Sequence, residues 1–92
     1  MNEAKAQETA LQCLGWLIGN DDLRGVFMNA SGVDETDLRD RLTDPEFLAA
    51  VLDFLMMDDA WLIGCCDALS LPYDTIARAR AALPGGQHVN WT

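Results

Sequence analysis

The chain has 92 residues, half of them apolar and 23% charged, which fits one globular domain and excludes a disordered chain. Fifteen acids face six bases, a formal net charge of -9, so a phosphate backbone or an anionic membrane surface is repelled. No apolar stretch approaches the roughly 18 residues that a membrane span needs.

Few β-branched residues and many Ala, Leu, Asp and Arg favour helix throughout. Ala6, Ala10, Cys13, Leu14 and Leu17 share one face and predict a first helix over 3–19. Asn20 caps a second helix, with Asp21 and Asp22 in the first turn, where the helix dipole favours negative charge. Leu23, Val26, Phe27 and Ala30 form its expected inner face, and Gly32 ends it. Asp34 caps a short third helix with Leu38 and Leu42 inward. Asp44 and Pro45 open a fourth helix that runs to Met57. Phe47, Leu48, Val51, Leu52, Phe54 and Leu55 leave it little polar face, so it is the expected centre of the bundle. Asp58 caps a fifth helix with Leu62, Cys65, Cys66 and Leu69 inside. Pro72 opens a sixth, anchored by Ile76 and Leu83, and "PGGQHVNWT" stops it. The expected fold is all-α, a compact bundle of five to six short helices, with one domain over 1–84 and a flexible tail over 85–92.

Shifting the sequence by 38 positions lays this plan on itself. Glu8, Leu14, Leu17, Asp21 and Ala30 meet identical residues at Glu46, Leu52, Leu55, Asp59 and Ala68. Asn20 meets Asp58, Trp16 meets Phe54 and Leu38 meets Ile76. The matched caps and core positions favour two pseudo-repeated three-helix units. Two units are too few for a solenoid, so they should pack on each other.

The stretch "FMNASGVDETDLRDRL" has the small residue, the glycine and the following apolar residue of a helix-turn-helix. "ALSLPYDTI" is a weaker second copy with Ser70 in place of glycine. A reading helix should offer Arg, Lys, Asn or Gln to DNA. The third helix instead offers Asp34, Glu35, Asp37 and Asp40 against Arg39 and Arg41. Gly32 with positive φ, a buried Val33 and an Asp34 cap would pack helices without DNA.

Other chemistry is sparse. Three cysteines, an odd number behind an opening "MNEAKAQETALQ" that lacks a secretion signal, point to a reducing cytoplasm. Cys65 and Cys66 are adjacent, with no CxxC and too few further ligands for a metal site, so packing is expected. The Asp21/Asp22 and Asp58/Asp59 pairs read as helix starts, and His88 has no fixed partner in sequence. No nucleophile–base–orienter set and no Gly-rich phosphate loop is present, so no catalytic, cofactor or metal residue is assigned and no enzyme is expected.

Trp16 lies roughly 110° from the centre of the first helix's inner face by helical periodicity. Met56 and Met57 extend past the fourth helix's core face, and Trp61 flanks the fifth. These four form the candidate partner-binding surface, against the alternative that a small bundle buries its boundary aromatics between helices. The partner they suggest is a basic protein or an amphipathic helix, or a second copy of the chain.

The segments "TDPEFLAAVLDFLMMDDAWLIGCCDAL" and "RARAALPGG" resemble a family of about 90-residue, all-helical alphaproteobacterial proteins, known only as a domain of unknown function. The resemblance spans residues 7–86. It implies one helical domain in a cytoplasmic bacterial protein and transfers no site residue. The expected function is a small, acidic, non-catalytic protein–protein interaction module. The alternative is a helix-turn-helix relative acting on DNA, directly or through a partner.

Overall fold

Each helix starts where a short polar side chain can take up free backbone N–H groups. The computed structural model describes residues 1–83 and contains six α-helices in that span. They are α1 (Glu3–Ile18), α2 (Asp21–Ser31), α3 (Glu35–Asp40), α4 (Pro45–Met56), α5 (Asp59–Leu69) and α6 (Thr75–Ala82). Asn2, Asn20, Asp34, Asp44 and Asp58 cap the first five with a side-chain oxygen. Such a cap stabilises a helix by about 1 kcal/mol. The tightest capping bonds are Lys5 N–H to Asn2 Oδ1 at 2.7 Å, and Asp37 N–H to Asp34 Oδ1 and Ala60 N–H to Asp58 Oδ1, both at 2.8 Å.

The expected centre of the bundle is the observed one. Seven of the twelve residues of α4 are buried, with Leu48, Val51, Leu52 and Leu55 fully enclosed. Each such leucine is stabilising by about 1.5–3 kcal/mol relative to exposure. α1 packs closely on α4 and α6, and α6 also packs on α4. Arg80 on α6 donates from Nε to Asp53 Oδ1 on α4 at 2.7 Å. An aromatic row ties three helices together. Trp61 stacks on Phe54 with centroids 4.7 Å apart, Phe54 meets Phe27 edge-on at 5.2 Å, and Phe27 meets Phe47 at 6.1 Å.

Several expectations need correction. Val26 and Ala30 do not face inward; Val26 is 45% exposed, and α2 buries only Leu23 and Phe27, one turn apart. α2 is covered along one narrow stripe, so its second apolar row stays in solvent. α3 buries no residue completely, and Leu38 and Leu42 are half-buried. In α5, Cys65 and Cys66 are fully enclosed, whereas Leu62 and Leu69 are half-buried. α6 begins at Thr75 rather than Pro72. The turn before it is closed by Thr75 N–H to Pro72 O at 3.0 Å and by the Tyr73 hydroxyl donating to Asp67 Oδ1 at 2.7 Å. The expected tail over 85–92, with His88 and Trp91, lies outside the described residues.

The 38-residue correspondence extends to backbone geometry over two helices and breaks at the third. α2 and α5 match end for end, and α1 and α4 stop at corresponding residues. Thr9, Ala10, Cys13, Leu14 and Leu17 are all buried, as are Phe47, Leu48, Val51, Leu52 and Leu55. Gly32 and Ser70 both leave their helices in the left-handed region, with φ of 75° and 58°. α6 then packs tightly on α1 and α4, whereas its counterpart α3 is not among the closely packed helix pairs.

Candidate docking groove

Because α3 stands off, α1, α2 and α3 leave an open groove of 560 Å³ between them. α1 supplies Leu11, Leu14, Gly15 and Ile18, α2 supplies Arg24 and Met28, and α3 supplies Leu38 with Glu35 and Arg39 on its bank. Leu42 closes one end. The floor is apolar because α1 carries two stripes. One, from Ala6 to Leu17, enters the core, and Leu11, Gly15 and Ile18 form the other at helical spacing. Leu11 is 41% exposed. A Cβ added to Gly15 would meet nothing within 4 Å, so the glycine itself widens the floor.

The α2–α3 turn fixes the far bank. Gly32 adopts φ 75° and donates its N–H to Met28 O at 2.9 Å, the single-bond left-handed helix cap. Val33 is buried, and its N–H donates to Ser31 Oγ at 3.4 Å. Asp34 then starts α3. A second, separate depression beside this turn shares Met28 and Glu35 with the groove and is lined also by Asp34.

The groove's electrostatics differ from the rest of the surface. Arg24, Arg39 and Glu35 give its lining a net charge of +1, which leaves -10 for the remainder of the chain. Arg24 sits 3.4 Å from Asp21, an exposed pair that water and salt screen heavily. Arg39 makes no salt bridge among the described residues.

The sequence-based surface of Trp16, Met56, Met57 and Trp61 falls elsewhere. Trp16 is half-buried and lies over Gly64 of α5, where an added Cβ would be 3.4 Å from Trp16 Cζ2. Trp61 is half-buried against Phe54, and Met56 is half-buried against the core. Met57 projects into solvent, 77% exposed. Sequence reasoning missed Leu11, Gly15 and Ile18. Their i, i+4, i+7 spacing was the available signal, hidden because the glycine breaks the apolar stripe.

The groove holds no convergent nucleophile or acid–base set. The three free cysteines are buried and do not line it. The Cys13 thiol is pushed far above its ordinary value, first by its hydrogen bond to Cys65 and then by burial. The same hydrogen bond holds Cys65 below the ordinary value, against the effect of burial. Burial raises Cys66. Among the described residues no three His, Cys, Asp or Glu side chains gather to hold a metal, and no helix is long and apolar enough to cross a membrane.

A family model for proteins of unknown function, DUF3572, matches residues 3–86. The chain belongs to the DUF3572 family. The match spans all six helices, including the α1–α2–α3 unit that forms the groove. No curated protein and no solved structure matches the chain.

Proposed function

We propose that this DUF3572 protein is a non-catalytic protein-interaction module that takes an amphipathic helix of a partner into the α1–α2–α3 groove. The observation that carries this reading is the groove itself, where Leu11 and the half-buried Ile18 reach solvent beside Gly15 above the buried Leu14. Helix-in-groove recognition buries apolar side chains at i, i+3/i+4 and i+7. A groove of 560 Å³ has room for three or so such side chains. The half-buried aromatics Trp16 and Trp61 stiffen the α1–α5 and α4–α5 contacts on which α1 rests.

The alternative reading, action on DNA, draws its support from the glycine turn between α2 and α3, where Gly32 leaves α2 in the left-handed region. Against it stand Asp34, Glu35, Asp37 and Asp40, all exposed around α3. Phosphates would meet four carboxylates and two arginines there.

Capture with the immobilised protein from a bacterial lysate, with and without nuclease, separates the two. A protein retained after nuclease treatment and lost from Gly15→Phe supports docking in the groove. Retention of nucleic acid, or of proteins released by nuclease, overturns docking in favour of the DNA reading. A partner that binds Gly15→Phe as well as the parent places the interaction outside the groove.

A further inference from the structure

We infer that the groove's occupant is an amphipathic helix whose flanks are acidic, although the protein as a whole is acidic too. This rests on the docking reading above and adds the partner's chemistry. The first support is the broken pseudo-repeat. Leu11, Leu14, Gly15 and Ile18 on α1 correspond to Ala49, Leu52, Asp53 and Met56 on α4. That α4 face already carries a helix of this chain: α6 packs on α4 and Arg80 donates to Asp53 at 2.7 Å. The α1 face is therefore the counterpart of a helix-docking face, and α3 does not fill it.

The second support is charge. On α4 the floor supplies the acid, Asp53, and the docked helix supplies the base, Arg80. In the groove the equivalent floor position is Gly15, which has no charge. The banks instead carry two of the chain's six bases, Arg24 on α2 and Arg39 on α3, against Glu35. The polarity is reversed, so the incoming helix must bring the carboxylates. Arg39 is exposed and makes no salt bridge among the described residues, and Arg24 gives up only an exposed pair with Asp21. The -10 carried by the rest of the chain disfavours long acidic tracts, which limits the partner to a few carboxylates placed beside its apolar stripe.

The test is selection from a displayed library of helical peptides, each with a fixed i, i+3/i+4, i+7 leucine stripe and randomised flanks. The parent protein should enrich Asp and Glu over Lys and Arg at the flanks by about three- to tenfold, the range two exposed ion pairs support. The bias should fade at 1 M salt, where screening acts over about 3 Å. The double variant Arg24→Glu/Arg39→Glu should reverse it, and Gly15→Phe should abolish enrichment altogether. Val26→Ala, at an exposed residue of α2 outside the groove lining, should select as the parent does. Enrichment of Lys and Arg by the parent overturns the acidic-partner inference while leaving docking intact. Equal recovery from the parent and Gly15→Phe overturns both. A concentration-dependent dimer that Gly15→Phe dissociates would assign the groove to a second copy and also overturn the inference.

Discussion

Gly32 and Ser70 hold the same left-handed backbone at corresponding ends of α2 and α5, with φ of 75° and 58°. Ser70 closes its helix with two bonds, Leu71 N–H to Cys66 O at 2.8 Å and Ser70 N–H to Asp67 O at 3.3 Å. Glycine adopts this conformation without a Cβ penalty, whereas serine pays roughly 1 kcal/mol. The two sites therefore respond oppositely to exchange. Gly32→Ala should destabilise by about 1 kcal/mol, and Ser70→Gly should be stabilising by up to about 0.5 kcal/mol after the unfolded chain's added freedom is counted. Urea melts measure both. The same sign at both sites would show that the two turns are not equivalent.

Leu52→Ala should cost about 2–5 kcal/mol, because Leu52 is fully enclosed on the central helix and its removal leaves a cavity. Val26→Ala, on the exposed side of α2, should stay within about 0.5 kcal/mol. A Leu52→Ala loss below that same figure in urea would mean α4 is peripheral.

The contrast between Leu52 and Val26 also marks what was legible in the sequence. Caps at Asn20, Asp34, Asp44 and Asp58, the turn at Gly32 and the core of α4 could be read because each rests on local backbone chemistry or on an unbroken apolar stripe. Val26 could not, because whether an apolar row is covered depends on which neighbour lies beside it. Periodicity left Trp16 and Trp61 open between a partner surface and boundary packing, and each is half-buried against a residue from another helix, Gly64 and Phe54. The groove was legible only in the spacing of Leu11, Gly15 and Ile18, and whether a neighbour covers that row could not be read. It exists because α3 fails to pack as α6 does, a tertiary fact with no single-residue signature.

The cysteines should be silent to thiol reagents in the native state. Cys13, Cys65 and Cys66 are each 0% exposed, and the hydrogen bond to Cys65, with burial, keeps Cys13 protonated well beyond its ordinary range. Mass spectrometry after brief alkylation should find no adduct on the folded protein and three on the unfolded one. Rapid labelling of Cys65 at neutral pH in the folded state would show that the α1–α5 interface opens.

Tyr73 supplies a pH signature for the turn before α6. Its hydroxyl donates to Asp67 at 2.7 Å, and that bond, with the carboxylate's charge, raises the phenol above its ordinary value near 10. A raised folded pKa contributes stability that is complete below the unfolded value and is lost as pH climbs through the folded one. Ultraviolet titration should therefore place Tyr73 above pH 10, and Asp67→Ala should bring it back down. A Tyr73 titration unmoved by Asp67→Ala would mean that the bond does not form in solution.

The groove variants must be sound proteins before their binding is read. Gly15→Ala should be stabilising by up to about 1 kcal/mol, since alanine improves helix propensity and the new Cβ meets no neighbour within 4 Å. Thermal melts by circular dichroism check this. A fall in Tm would show that the floor at Gly15 is already filled.

Docking of a helix between α1, α2 and α3 is tested most directly by an amide NMR titration with an acidic-flanked, leucine-striped helical peptide taken from the library selection. The account predicts saturable shifts that gather at Leu11, Gly15, Ile18, Met28, Leu38 and Arg39 and vanish in Gly15→Phe. Shifts centred on Met57, Trp61 or the α6 arginines, or shifts that persist in Gly15→Phe, would contradict it.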